Sequence, residues 1–447
     1  MYPEDGGNGS VDGARENDDG RGRGRRWSRR RVLGATGALA AGAAAGCIAT
    51  NAEGQTGGDS EGGSDPALFA DRGELAAVKR RVDAGDEPWA SAYESFIADA
   101  DESLDATPKS VTDGDGSNLF ESSDPDDDTR GDYVRAIEMG DRIRDLGLAY
   151  EFTGDDAYAE RAVEFVDHWY FGDTRMTPEE TDTIELYITL PKMWYGAELV
   201  RDHPAWDDVE GSQEGLADWI RTYFETVGTD VPDWVQNIFV WRETAHAAGA
   251  AYLGDEEELT ACFDRLRDAA FVQLDDDGLL EEELDRSEGL SYSLYALKAF
   301  VTAAELGRHY GESFYDHERF GGSALKLMFD AHAPFFFDPE SFDERFGESG
   351  GFAAREREEG TSAYELAYSY WGDDRYLDVV ESDGSEITNE PTYVEQHQDA
   401  IDAKGRPVRD ERLLGWTTLT HGNRFDLDLD EEGESDERSR GSVSGRE

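Results

Sequence analysis

Apolar residues recur at close to a 3.6-residue period through most of the chain, the spacing of one buried face on an α-helix. Between Tyr133 and Phe152 this stripe runs through Ile137, Ile143, Leu146, Leu148 and Tyr150. Ala162, Phe165, Val166 and Trp169 repeat it in a second predicted helix, Ala157–Trp169. The same pattern predicts helices over Thr183–Val200, Gly215–Val227, Ile238–Tyr252, Glu257–Phe271, Tyr292–Tyr310 and Thr361–Trp371. Strand-like alternation is scarce before the last sixty residues. Three tetrapeptides punctuate the helices: Phe152-Thr153-Gly154-Asp155, Tyr252-Leu253-Gly254-Asp255 and Tyr370-Trp371-Gly372-Asp373. In each, Gly suits the αL position that ends a helix, and Asp caps the next one. Helix hairpins of this kind close into an (α/α) toroid, an incomplete α/α barrel in an all-α fold. A solenoid of helix pairs is the competing architecture. The less periodic segment Tyr393–His421 is expected to form loops or a small β element packed on the toroid.

The N-terminal stretch departs from this pattern. Ser28-Arg29-Arg30-Arg31-Val32-Leu33 opens an Ala/Gly-rich apolar run from Val32 to Ala45, followed by Gly46 and Cys47. The run is too short to span a membrane and reads as the apolar region of a twin-arginine export signal. Cys47 stands where a lipoprotein signal is cut and a lipid attached. The expectation is export of the folded protein by the twin-arginine pathway, with an extracellular location and a lipid anchor at Cys47. Residues 1–47 then form the signal with its disordered basic arm. Residues 48–67 form a flexible Gly/Ser/Asp/Glu-rich linker, 68–424 the toroid domain and 425–447 a disordered acidic tail.

Charge narrows the partners. The chain carries 42 Lys and Arg against 102 Asp and Glu, a formal net charge of −60. Its 10 Trp, 19 Tyr and 21 Phe argue against a disordered acidic polymer. It reads instead as a folded, monomeric protein with an acidic surface, as in proteins adapted to high salt. At about 1 M salt the Debye length is roughly 3 Å, so self-repulsion is screened. Nucleic acid is excluded as a partner, and a polyanion requires a local basic cleft. Beyond Cys47 only Cys262 remains, so no disulfide framework exists; Cys262 reads as a small core residue of a helix.

Two stretches about fifty residues apart carry the candidate chemistry. The first is Gln236-Asn237-Ile238-Phe239-Val240-Trp241. The second is Glu283-Leu284-Asp285-Arg286-Ser287-Glu288-Gly289-Leu290-Ser291-Tyr292-Ser293. They set an amide, an arginine and a tyrosine on neighbouring predicted helices, groups better suited to proton abstraction beside a carboxylate than to nucleophilic attack. An amide or guanidinium neutralises a carboxylate through charge-assisted hydrogen bonds. A tyrosine serves as base and acid if a nearby cation lowers its pKa from about 10. Asn237, helped by Gln236, is the candidate neutraliser; its alternative role is a helix N-cap. Arg286 is the candidate cation beside Tyr292; its alternative is a surface ion pair with Glu283 or Glu288. The six-residue gap between Arg286 and Tyr292 needs a bend, which Gly289 can supply. The alternative for Tyr292 is a core aromatic, a role that suits Tyr295 better. There is no H-E-x-x-H and no cysteine pair for zinc, and no Gly-rich nucleotide loop in the folded part. Neither a metal nor a cofactor is implied.

Both stretches resemble the active-site segments of the alginate lyase family. Gln236 to Asp255 is similar to the family's Asn-Asn-His-Gly-x-Trp…Leu-Gly-Asp stretch without a gap, with Asn237, Trp241, Leu253, Gly254 and Asp255 in agreement. Glu283 to Gly307 resembles its Glu-Leu-x-Arg…Tyr-Ser stretch, and Phe171 to Pro178 its Thr-x-Met-x-Pro turn. The similarity spans roughly Asp132 to Gly311. It implies an (α/α) toroid that cleaves an acidic uronate polysaccharide, alginate or a related polymer, by β-elimination, leaving unsaturated uronate ends. It further implies Tyr292 as acid/base, with Arg286 and Asn237 as its catalytic partners and Gln236 and Trp241 as substrate-binding residues. The family's motif histidine falls on Ile238, which can neither neutralise nor abstract a proton. His246, two helical turns on and on nearly the same face, is the candidate substitute. Otherwise Tyr292 works alone, or activity is lost. His246 equally reads as a core histidine among Ala245, Ala247 and Ala248; His168 and His203 read as helix-surface and turn residues. A toroid glycoside hydrolase with two carboxylates and a non-catalytic carbohydrate-binding lipoprotein are the alternatives.

Overall fold

The computed structural model describes residues 65–111, 131–173, 175–178, 184–209, 211–232, 236–284, 286, 289–338, 340–346, 354–380 and 413–421. The predicted signal with Cys47, nearly all of the linker, the acidic tail and most of Tyr393–His421 lie outside the described residues. Short strands β1 (Pro66–Ala67) and β2 (Ala70–Asp71) pair antiparallel. Asp71 then caps α1 (Arg72–Ala84) by accepting from the Glu74 amide. Helices α2 (Trp89–Asp105), α3 (Gly131–Thr153), α4 (Asp156–Phe171), α5 (Ile184–Tyr187), α6 (Leu190–Leu199) and α7 (Gln213–Val227) follow. Next come α8 (Asn237–Leu253), α9 (Glu256–Arg265), the one-turn α10 (Glu281–Leu284) and α11 (Gly289–His309). A second antiparallel pair, β3 (Glu318–Arg319) and β4 (Gly322–Ser323), precedes α12 (Ala324–His332). The last described helices are α13 (Glu340–Phe346), α14 (Ala354–Trp371), α15 (Asp374–Val380) and α16 (Thr417–Thr420).

The Gly-Asp punctuation works as the sequence predicts. Gly154, Gly254 and Gly372 all take positive φ, at 69°, 67° and 62°. Asp155 and Asp255 cap α4 and α9 by accepting from Ala157 and Glu258 amides, and Asp373 accepts from the Arg375 amide. Successive helices therefore fold back on one another. Helix α3 packs on α4 and α6, α8 on α9 and α11, and α14 on α11 and α15. The C-terminal α16 packs on α1, α2 and α14, which brings the end of this unit back to its start. The contact is sealed by His421 Nε2, 2.8 Å from the Phe69 carbonyl oxygen, and by edge-to-face packing of Phe96 on Trp416. A solenoid keeps its first and last repeats apart, so this closure marks the fold as an (α/α) toroid. Among the described residues, regular strands are confined to the two short antiparallel pairs.

The α3–α6 contact is the tightest test of the packing. A Cβ on Gly196 would lie 2.2 Å from the Ile143 carbonyl oxygen, and one on Gly147 2.8 Å from that of Gly196. The two backbones touch, and no side chain fits between them. Gly196→Ala is expected to force the helices apart and destabilise the fold by about 1–3 kcal/mol, read as a lower denaturation midpoint by circular dichroism.

Two predicted helices differ in detail. Thr183–Val200 was expected as one helix, but Pro191 lacks the N–H that would continue it and sits in the first turn of α6, so α5 ends at Tyr187. Glu257–Phe271 leaves α-geometry at Leu266, passing into a π turn over Leu266–Ala270 and a 3-10 turn over Phe271–Gln273. Of Tyr393–His421, where loops or a small β element are expected, only residues 413–421 are described: a turn at Leu413–Leu414 leads into the single helical turn α16, wholly buried at Thr417, Thr418 and Thr420.

Candidate active site

The site is built where the N-termini of α8 and α11 meet α10. Gln236 is extended and begins α8 without capping it through its own side chain. Asn237 is therefore the first helical residue and not the N-cap. Its backbone N–H and its Nδ2 both donate to Glu283 Oε1 of α10, at 2.6 and 2.8 Å. Both residues are buried, Asn237 at 1% exposure and Glu283 at 0%. Among the described residues Glu283 Oε2 accepts no hydrogen bond within 3.5 Å; it lies 3.6 Å from Arg286 Nη1. Burial raises the pKa of Glu283, opposed by the two Asn237 bonds and by the Arg286 charge.

Arg286 leaves α10 through a turn in which its amide donates to the Glu283 carbonyl. Its Nη1 donates to Gln236 Oε1 at 3.1 Å, and its guanidinium carbon stands 3.3 Å above the centroid of the Tyr292 ring. Contact at this range is a cation–π stack. The bend that brings them together ends at Gly289, where a Cβ would come within 2.9 Å of the Leu284 carbonyl oxygen. Tyr292 lies in the first turn of α11, half-buried, while Tyr295 packs against the core on Trp241, with ring centroids 5.3 Å apart. The structure thus joins Gln236, Asn237, Arg286 and Tyr292 in one chain of contacts through Glu283. Two long helices direct their N-terminal, partially positive ends at the same place, which favours an anion there.

Trp241 is buried, as Asn237 is, and packs on Tyr295 with ring centroids 5.3 Å apart. His246 does not join the group. Eight residues beyond Ile238, it sits about 12 Å further along the helix axis at a rise of 1.5 Å per residue. It is buried against Phe224 of α7, with ring centroids 4.7 Å apart. Burial, then Arg242 and Arg265, lower its pKa to about 3, so it stays uncharged at neutral pH. His246→Ala is expected to leave turnover near that of the parent while costing about 1–3 kcal/mol of stability, measured by steady-state kinetics and thermal denaturation together. His168 is exposed on α4, and His203 accepts from the Ala205 amide at a turn, as its sequence context predicts.

Two buried clusters of the described residues have metal-ligand residue types: Glu243, His246 and Cys262, and Glu305, His309 and His421. In each, an arginine already holds the carboxylate. Arg265 Nε lies 2.7 Å from Glu243 Oε2 and its Nη2 3.2 Å from Cys262 Sγ; Arg242 takes the other oxygen of Glu243. Arg308 Nε lies 2.6 Å from Glu305 Oε2, and the Tyr315 hydroxyl donates to Oε1. A metal ion would have to displace a bound, half-buried guanidinium, so both clusters read as internal charge networks. Burial raises the pKa of the Cys262 thiol, consistent with an inert core residue.

Sequence reasoning assigned no site role to Glu283, which it treated as a partner for Arg286 in a surface ion pair. Glu281 and Glu282 beside it are exposed and Glu283 alone faces inward. The period of a one-turn helix is too short to reveal that.

The family model described as alginate lyase matches residues 78–342. No curated protein matches the chain. Among solved structures, an alginate lyase from Bacteroides ovatus is 21% identical, with a TM-score of 0.58 over 72% of this chain and 96% of that one. Alginate lyase A1-III from Sphingomonas species A1 is 15% identical, with a TM-score of 0.55 over 79% of this chain and 95% of its own. A variant of A1-III complexed with tetrasaccharide gives a TM-score of 0.57 at the same identity and coverage. These likenesses establish a shared fold.

Proposed function

With a family match over more than half its length, the chain belongs to the alginate lyase family and is a polysaccharide lyase, and we propose that it acts on a uronate polysaccharide at the junction of α8, α10 and α11. The observation that carries the reading is the convergence of Asn237, Arg286 and Tyr292 on one another. β-Elimination across C4–C5 of a uronate needs its carboxylate neutralised, the C5 proton removed and the C4 oxygen protonated. Arg286 and the second Nδ2–H of Asn237 receive the carboxylate through charge-assisted bonds. Their hold tightens as charge moves onto that carboxylate in the transition state. Tyr292 takes the C5 proton and returns a proton to the departing C4 oxygen, while the bond between C4 and that oxygen breaks and the C4–C5 double bond forms.

Of the described residues gathered here, Tyr292 alone is placed to move protons, with Ile238 at the histidine position of the family motif. One group serving as both base and acid approaches from one face of the sugar. The C5 proton and C4 oxygen must then lie on the same side, as in D-mannuronate and D-glucuronate and unlike L-guluronate. The test is the ultraviolet absorbance of the conjugated unsaturated product, followed in high salt. Polymannuronate or glucuronan is expected to give a steady rise, and polyguluronate little. No rise on any uronate polymer sinks the reading.

The export-signal pattern of the N-terminus supports a workplace outside the cell, where such a polymer is met. Export through Arg29-Arg30 and anchoring at Cys47 complete the proposal. Replacing both arginines with lysine is expected to retain the protein in the cell, and Cys47→Ser to release active protein into the medium. A Cys47→Ser protein still bound to membranes contradicts the anchor.

A further inference from the structure

The geometry assigns Glu283 the role of a positioning residue that aims the Asn237 amide at the substrate carboxylate, an inference that rests on the proposed elimination. Glu283 is wholly buried and reaches α8 from a separate element, the one-turn α10. Its Oε1 collects two donors from one residue, the Asn237 backbone N–H at 2.6 Å and Nδ2 at 2.8 Å. A carboxylate oxygen accepts an amide N–H and repels an amide oxygen. The Asn237 side chain is therefore held with its nitrogen toward Glu283, which fixes the plane of the amide and the direction of its second N–H. A freely rotating asparagine would present its oxygen to an anionic substrate as readily as its nitrogen, and the oxygen would repel it.

The second oxygen points the same way. Among the described residues Glu283 Oε2 faces Arg286 Nη1 at 3.6 Å, while that Nη1 donates to Gln236 Oε1. One buried acid thus stands behind both groups that meet the uronate carboxylate. It also satisfies the Asn237 amide at the start of α8, a donor with no partner inside the helix. That capping alone is a structural role, and the test separates it from positioning.

The experiment is a double-mutant cycle over Glu283 and Asn237, with kcat, KM and the thermal midpoint measured for Glu283→Ala, Asn237→Ala and the pair. Glu283→Ala is expected to lower kcat by about 10–100-fold with KM changed less than about threefold, because the aimed amide acts mainly in the transition state. On the Asn237→Ala background the same change is expected to cost less than about threefold more, since nothing is left to aim. Glu283→Gln keeps an oxygen that accepts both Asn237 donors and is expected to hold kcat within about threefold of the parent. If Glu283→Ala does not fold, Glu283→Asp carries the cycle, as it keeps the charge but withdraws the carboxylate by one methylene. An unchanged kcat in the Glu283 variant, an equal loss with and without Asn237, or a Glu283→Gln protein as impaired as Glu283→Ala overturns the assignment. If Asn237→Ala itself leaves kcat unchanged, the neutralisation reading fails and the assignment falls with it. A lowered kcat in Asn237→Ala beside an unchanged kcat in Glu283→Ala sinks the assignment alone.

Discussion

Tyr292→Phe is expected to lower turnover by about 10²–10⁴-fold, the usual contribution of a general acid–base group. The substitution removes one oxygen and leaves the ring that carries the Arg286 guanidinium at 3.3 Å. Tyr292 is half-buried at the start of α11 and, unlike the equally half-buried Tyr295, does not pack against the hydrophobic core. Folding should therefore survive, and the thermal midpoint should stay close to that of the parent. KM should change little, because the hydroxyl acts on the reacting atoms and not on binding. Near-normal elimination by Tyr292→Phe would place the proton transfer on another group.

Arg286→Ala is the second large effect, about 10²–10³-fold in kcat/KM, comparable to removing one donor from a charge-stabilising site. Arg286 is 29% exposed at its side chain, and its ion pair with Glu283 is long at 3.6 Å, so the cost to stability should stay below about 1 kcal/mol. Arg286→Lys should recover only part of the activity. An ammonium neither lies flat on the Tyr292 ring nor reaches Gln236 and a carboxylate from one planar fork. Full rescue by lysine would show that charge alone matters and that the stack on Tyr292 is incidental.

Most of the fold was legible because its helices carry wide apolar stripes. Ala162, Phe165, Val166 and Trp169 are all buried in α4, and Gly-Asp pairs end α3, α8 and α14 where the pattern places them. The first hairpin was harder to read. In α2 the buried face runs Trp89, Ala92, Phe96, Ala100 and Ser103, a stripe half made of small residues that merges with the acidic background. The break before α6 shows a local rule overriding the period, since Pro191 cannot extend a helix.

The site divides the same way. Asn237, Arg286 and Tyr292 were legible because their chemistry suits elimination and they fall on the two stretches that resemble the family's motifs; the structure brings them together around Glu283. His246 stands apart from them, because a shared helical face is not a shared site. Helix α8 is buried nearly all round, so two turns along its axis lead into the core and not along a cleft. Glu283 was invisible for a different reason. Among 102 acidic residues, the one that is buried and bonded to the site looks like every other until its neighbours are placed.

The measurement that tests the central claim most directly is the mass balance of a single cut. A defined mannuronate oligosaccharide is incubated with the protein in high salt, and the two fragments from one cleavage are weighed by mass spectrometry. Elimination at Tyr292 adds no water, so the fragment masses are expected to sum to that of the starting oligosaccharide, with the unsaturated end on one piece and cleavage by Tyr292→Phe slowed by about 10²–10⁴-fold. Fragments that together exceed the substrate by one water would show hydrolysis and contradict the account.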